Sequence, residues 1–354
     1  MIDWTKSMKQ TYEFYTVDPH TWKDDKLIET IVADSCTITR DKSQATLGSA
    51  RIDTTEPLND VYVRTYLCVD QKGETGRIPL GTHLVQTPSK KFDGMVSSVT
   101  LDAFTPLMEL KENCPPIGFS VFKDTPVMET AENICKENMR APVVGATDDT
   151  KLYSDFVAEP DESYLSYVSA LISNAKRSIG LDELGRVLFE PDQDIAALQP
   201  VWTFNDDNSS ILHPSITDES DLCNVPNVVE VIYSTGSGYL YSKIVNDDPN
   251  SPISTVNRGR EVTHRDTNPS FSGEPNQAML DEYARELLKA KSTLQHTVSY
   301  KHGYCPVRIG DCVILNYRSA GLNNVKAQVL TQNIACKTGC EVDETAVYTE
   351  KLWG

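Results

Sequence analysis

Apolar and polar positions alternate through the first third of the chain. Val61, Val63, Thr65, Leu67 and Val69 interleave with Tyr62, Arg64 and Tyr66, the period of a strand with one buried face and one solvated face. A turn at 71–76 (QKGETG) follows, and Arg77–Val85 and Met95–Ala103 read as two further strands, with Ile31–Thr39 ahead of them. Short strands punctuated by Gly, Pro and Asp over residues 1–118 predict a small β-barrel-like domain. The period lengthens in residues 119–221, where Val127–Met139 and Tyr164–Ile179 carry helical spacing. In the second of these, Tyr164, Leu165, Val168, Leu171, Ile172, Ala175 and Ile179 form one apolar stripe. Pro160-Asp161-Glu162-Ser163 supplies its N-terminal cap, and Lys176 and Arg177 sit near its end before Gly180. Asp182-Glu183-Leu184-Gly185 then turns the chain into a strand, Arg186–Phe189, closed by Pro191.

Strands return from residue 222, at Val228–Tyr233, Tyr239–Val245, Gln295–Lys301, Asp311–Tyr317, Val325–Ile334 and Glu341–Lys351. One helix interrupts them at Pro275–Leu294, with Met279, Tyr283, Leu287 and Leu294 on one face. The polar connection from Asn246 to Pro275 is long enough to predict a contact-making segment. The fold class expected is mainly β with an α+β middle region. Two small β-barrel domains, 1–118 and 222–354, flank a helix-containing region, 119–221, and the second barrel carries an inserted helix at about 275–294.

Composition narrows the function. The 354 residues hold 33 Lys+Arg against 51 Asp+Glu, a net charge of −18, which repels phosphate backbones and argues against sequence-specific nucleic-acid binding. No apolar run reaches the roughly 18 residues a membrane helix needs, so no membrane insertion is expected. The N-terminal MIDWTKSMKQTYEFY lacks an apolar signal core, which predicts folding in a cytosol.

Candidate chemistry is sparse. Asp148-Asp149, Asp206-Asp207 and Asp247-Asp248 lie beside Asn, Pro or Thr, where solvated turns are the default over acid–base pairs. Asn205–Asn208 clusters oxygen ligands but lacks the spaced loop and distal Glu of a calcium-binding EF-hand. Histidines at 20, 83, 213, 264, 296 and 302 form no HExxH pair, and Gly236-Ser237-Gly238 is a turn rather than a nucleophile elbow. Neither GxGxxG nor GxxxxGK[ST] occurs. Of nine cysteines only Cys305 with Cys312 and Cys336 with Cys340 are close in sequence, without CxxC spacing, so they read as reduced and mostly buried thiols; His302 near Cys305 does not complete a ligand set. No catalytic, cofactor-binding or metal-ligating residue is expected.

Four stretches, in their order and wording, resemble the baseplate hub family of tailed bacteriophages. Ser35–Asp41 (SCTITRD) with Gly48–Asp53 (GSARID) looks like the paired opening strands of the first hub barrel. Phe156–Leu165, running through the helix to Gly180–Phe189, is similar to the family's helix, D-x-x-G turn and strand. Asn246–Pro252 matches the long excursion before the helix beside the second barrel, and His302–Ile314 matches a strand-turn-strand with Gly310-Asp311 before the β-run. The resemblance implies a homotrimer whose two barrels per subunit make a pseudo-sixfold ring at the tail tip of the virion, assembled in the host cytoplasm. It implies as partners a tail tube or distal tail protein on one side and a spike or tip protein on the other, with a tape-measure protein as a further candidate and DNA passing through. Because the chain ends at Trp353-Gly354, no appended lytic domain is expected. Two rival readings remain: a cell-wall or carbohydrate-acting tail enzyme, suggested by Trp4, Trp22 and Trp202 with Asp206 and Asp207, and a receptor- or carbohydrate-binding tail protein. Under the hub reading the negative charge belongs on the lumen and outer loops, leaving subunit contacts comparatively neutral.

Overall fold

The computed structural model describes residues 2–58, 60–93, 96–207, 210–235, 238–271 and 275–354, and only the backbone of residues 87, 91–93 and 96–98. The first strands are β1 (Lys9–Val17), β2 (Asp24–Leu27), β3 (Cys36–Asp41), β4 (Gly48–Thr54), β5 (Val61–Gln71), β6 (Glu74–Asp93) and β7 (Val96–Phe104). A helical stretch follows: α1 (Met108–Glu112), β8 (Ser120–Val121), α2 (Val127–Asn138), β9 (Phe156–Val157), α3 (Tyr164–Ser173), β10 (Arg177–Leu181) and β11 (Val187–Pro191). Next come β12 (Pro200–Asn205), β13 (Leu212–Ser220), β14 (Val228–Thr235), β15 (Gly238–Val245), α4 (Thr255–Arg258), β16 (Thr263–Thr267) and α5 (Gln277–Lys291). The chain finishes with β17 (Thr293–Gly303), β18 (Cys312–Tyr317), β19 (Leu322–Cys336) and β20 (Glu341–Lys351). Contacts divide it into a larger unit, Met1–Ile216 with Ser299–Ala346, and a smaller one, Thr217–Val298 with Val347–Gly354.

The mainly β class holds, and β5 shows how the larger unit is layered. Its alternation predicts one solvated face, yet both faces are buried. Val63, Leu67 and Val69 enter an inner core with Phe14, Ile38, Ile52, Leu101 and Ile334. On the other face Tyr62 joins a second core with Leu107, Leu110, Met128, Tyr167 and Leu171, because α1, α2 and α3 cover the side that the pattern assigns to water. The sheet order is β13-β17-β20-β19-β3-β4-β7-β6-β5-β1-β2, with β18 on β19 and β12 parallel to β18. Among the described residues this order is open, so the expected barrels do not close as ladders. β19 ends at Cys336, and the following turn reaches β1 only through side chains: the Tyr12 hydroxyl donates to the Lys337 carbonyl at 2.7 Å and the Gly339 amide donates to Gln10 at 3.1 Å.

In the smaller unit three strands, β15-β14-β16, carry α5 on one face. Leu280, Ala284 and Leu288 of α5 pack on Val229 and Val231, with Tyr283 and Leu287 at the flank. The buried stripe is therefore one position along from the expected Met279 face, and Met279 is exposed. The long connection after Asn246 is built rather than loose: it forms α4 and then β16, which pairs in parallel with β14.

The expected helix Tyr164–Ile179 starts as predicted, with the Ser163 hydroxyl accepting from the Ser166 amide at 3.2 Å. It ends earlier. The Asn174 amide folds back onto the carbonyls of Ala170 and Leu171, Lys176 turns to φ 53°, and Arg177–Leu181 becomes a strand paired with β11. Strands β1, β12 and β13 have no counterpart in the sequence reading. The first residue of the expected strand Met95–Ala103, two residues of the Gly236-Ser237-Gly238 turn and Asn208 lie outside the described residues.

Leu67 is fully buried and Met279 is not, which sets a contrast. Leu67→Ala is expected to cost about 2–5 kcal/mol in denaturant unfolding, and Met279→Ala less than about 0.5 kcal/mol.

Candidate functional site

The hairpin β10–β11 presents the Asp182–Gly185 turn to the sheet. Inside the turn the Asp182 carboxylate accepts from the Arg186 amide at 2.8 Å and from Arg186 Nε at 2.5 Å, and the Gly185 amide donates to the Asp182 carbonyl at 2.9 Å. Gly185 has φ 75°, and a Cβ there would stand 2.9 Å from Thr82 Cβ and 3.1 Å from Pro106. Both the backbone conformation and the close approach require glycine.

The outward residues of this turn meet a set of arginines. The Leu184 carbonyl accepts from Arg64 Nη2 at 3.1 Å and from the Trp22 indole at 2.7 Å. Arg64, on β5, is buried; its Nε donates to Thr82 at 2.9 Å, its Nη1 to Asp24 at 2.9 Å, and both terminal nitrogens reach the Trp22 carbonyl at 3.3–3.4 Å. Trp22 takes φ 56°, a strained conformation for a large side chain, and its indole packs on Tyr62 at 4.8 Å. Asp24 also accepts from the Tyr66 hydroxyl at 2.9 Å, while Arg77 lies 3.5 Å over the Tyr66 ring. Burial and the bond to Asp24 hold the Tyr66 phenol above its ordinary range.

Glu183 extends the network. Its carboxylate pairs with Arg308 at 2.5 Å and Arg40 at 3.7 Å. Arg40 donates to the Leu80 carbonyl at 2.7 Å and to Gln332 at 3.0 Å, and Gln332 donates in turn to the Val307 carbonyl at 3.0 Å and to Glu344 at 2.6 Å. Glu344 also accepts from the Tyr300 hydroxyl at 2.5 Å and faces His302 Nε2 at 3.3 Å, with His302 and Glu344 both wholly buried. His302 Nδ1 lies 2.7 Å from the Gly303 carbonyl, which only accepts, so Nδ1 carries a proton. A cavity of about 50 Å³ remains beside Arg40, Leu80, His83, Glu183 and Arg308, a volume on the scale of a few waters. Burial first, then the Arg40 charge, pushes the His83 imidazole down to about 3. The guanidinium and carboxylate groups here are paired with one another, and the arrangement acts as a clamp between a turn and a sheet.

The residues weighed from the sequence fall in separate places. The Asp148 carboxylate accepts from the Thr150 amide at 2.9 Å and pairs with Arg177 at 3.4 Å; the hydrogen bonds to Thr150 hold it below the usual carboxylate range. Asp206 accepts from the Arg318 amide at 3.0 Å, a long-range contact, and Asp248 accepts from the Asn250 amide at 2.8 Å within its own turn. Trp4 packs on Tyr304 at 5.2 Å and Trp202 on Phe204 at 6.5 Å. The Cys305 thiol lies 3.9 Å from His302 Nδ1, and the ring nitrogens face the Gly303 carbonyl and Glu344. Among the described residues no group of three or more His, Cys, Asp and Glu is placed to hold a metal. Sequence reading missed Arg64 and Arg40, since an arginine in an alternating strand signals the solvent face.

The architecture recurs in solved structures along almost the whole chain. A tail protein from Neisseria meningitidis MC58 superposes with a TM-score of 0.62 at 13% identity, over 95% of this chain and 96% of the other. The chain has the phage tail-protein fold. A 43 kDa tail protein of prophage MuSo2 from Shewanella oneidensis matches at 0.60 and 13% identity, over 95% of this chain and 97% of the other. The prophage tail protein gp18 from Listeria monocytogenes EGD-e matches at 0.53 and 12% identity, over 95% and 94%. No family model and no curated protein matches the sequence itself.

Two outcomes follow from the clamp. Arg64→Ala leaves the Trp22 and Leu184 carbonyls without their guanidinium and Asp24 with Arg77 as its remaining ion-pair partner, and a loss of about 3–5 kcal/mol is expected in urea unfolding. Folded His83 stays neutral down to about pH 3, whereas an unfolded histidine takes up a proton near pH 6.5. The unfolded chain binds the extra proton within that window, so the contribution is full above it and is lost as pH falls. Stability of the native chain is expected to drop between those limits more steeply than that of His83→Gln, by up to about 1.4 kcal/mol per pH unit.

Proposed function

We propose that the protein is a structural hub of a phage tail tip or baseplate. In this reading three copies form a pseudo-sixfold ring that joins a tail tube or distal tail protein to a spike or tip protein, with a tape-measure protein as a further partner, and DNA passes through. The observation that carries it is the tail-protein fold running through 95% of the chain at TM-scores of 0.60 and 0.62. Three features support it. The polar groups of the junction hold one element against another, as a load-transmitting subunit needs. Ile117, Phe122, Tyr153 and Val157, around the β8–β9 ladder, expose apolar surface of the kind protein partners cover. The net charge of −18 suits a conduit that must not retain DNA. The reading does not call on a catalytic residue.

Mass in solution and electron cryo-microscopy of the purified chain, alone and with isolated tails, test it. A trimer with three-fold or pseudo-sixfold rings at the tail tip is the expected result. A strict monomer that never associates with tails would overturn it, and loss of cell-wall hydrolysis in an Asp206→Ala, Asp207→Ala double variant would replace it with the enzyme reading.

A further inference from the structure

Two of the nine cysteines face each other across a strand ladder. Cys36 opens β3 and Cys336 closes β19, and the two are direct Cα partners in the antiparallel register that runs from Thr331 opposite Asp41 to Cys336 opposite Cys36. Directly opposed residues put their side chains on the same face of a sheet. Such pairs have Cα atoms about 4.5–5.5 Å apart, which lies inside the span of about 4.4–6.8 Å that a disulfide accepts. Both side chains are only 2% exposed.

Access comes from one side. Beside β1, where the sheet fails to close, a cavity of about 460 Å³ is lined by Tyr12, Phe14, Ile28 and Val32, and both Cys36 and Cys336 form part of its wall. A small reagent in this cavity lies against both cysteine residues. Cys340 is close in sequence but is differently placed: it sits at φ 42° in the turn after β19 and does not line this cavity.

We infer that Cys36 and Cys336 are a redox-modification site, at which a small-molecule disulfide oxidant converts the facing thiols into a cross-strand disulfide joining β3 to β19. One thiol loses its proton and its sulfur attacks the oxidant's S–S bond, which breaks and releases one thiolate as a mixed disulfide forms. The second cysteine loses its proton and attacks the protein sulfur of that mixed disulfide, forming the Cys36–Cys336 bond and expelling the second thiolate. The protein gives up two protons and two electrons, and the oxidant is reduced to two thiols. The neighbouring Cys36 thiol first, then burial, holds the Cys336 thiol well above its ordinary range, so the reaction is slow at neutral pH and faster in alkali. The chain can thus be assembled reduced and locked afterwards, with a very long loop closed by the new bond.

The test treats the full-length chain with oxidised glutathione in mildly alkaline buffer and maps disulfides by mass spectrometry of a non-reduced digest. A linked Cys36–Cys336 peptide is expected in the native chain and in Cys340→Ser, and none in Cys36→Ser or, should that variant fold poorly, in Cys336→Ala. The melting temperature is expected to rise by several degrees on oxidation and to return with dithiothreitol, in the native chain and in Cys340→Ser but not in Cys36→Ser or Cys336→Ala. A bond through Cys340, glutathione adducts alone, or free thiols at both positions after treatment would overturn the inference.

Discussion

A guanidinium buried between two layers cannot be left half satisfied, and Arg64 is the group on which the larger unit turns. In water its five donors are met without any folding; in the interior each must find an acceptor or the charge is destabilising by several kcal/mol. Those acceptors come from three distant stretches: the Trp22 carbonyl and Asp24 near the N-terminus, Thr82 on β6, and the Leu184 carbonyl in the β10–β11 turn. The turn cannot leave without stranding the charge, and the strained φ of Trp22 is held because its carbonyl and its indole both serve this one junction. Helical layer, N-terminal loop and sheet are therefore coupled through a single side chain.

From there the polar contacts run on without a break. Arg308 and Arg40 share Glu183, Arg40 reaches Gln332, and Gln332 reaches Glu344, where Tyr300 and His302 converge. Along this line the charged and polar groups meet partners of the opposite character, and such alternation specifies geometry more sharply than apolar packing can, because a shifted register would leave a charge unpaired. The apolar cores on the two faces of β5 supply the bulk of the driving force, while this line of side chains fixes how the layers align.

How much of this could be read from residues alone depends on the range of the signal. The start of α3, with Ser163 as cap, and the Asp182–Gly185 turn are local, and the sequence shows both. The end of α3 is not legible, since Ala175 and Ile179 keep helical spacing and still pack on the helical core after the backbone has turned into a strand. β1 is equally hidden: its sequence, KQTYEFYTV, offers no clean alternation, and most of its residues are half-buried. The junction was the hardest to see. Tyr62, Arg64 and Tyr66 look like the wet side of a half-buried strand, and only the non-local arrival of α1–α3 makes that side an interior. The resemblance to the hub family had singled out the D-x-x-G turn as a motif; its physical role, a carbonyl and a carboxylate delivered to waiting arginines, is a property of the fold.

Two-sided burial also bears on what such a protein is suited to do. A sheet with one wet face can flex, but β5, covered on both faces and pinned at Arg64, leaves little room for the layers to slide. For the proposed hub this matters more than any cleft. A closed ring formed by contacts between unlike surfaces on neighbouring copies accumulates every angular error around its circumference, so it closes only if each subunit presents those surfaces at a fixed mutual angle. In the proposed hub, a clamp built from paired charges is the element that would hold such an angle. Solved tail proteins share this architecture at only 12–13% identity, so the fold does not depend on one set of residues.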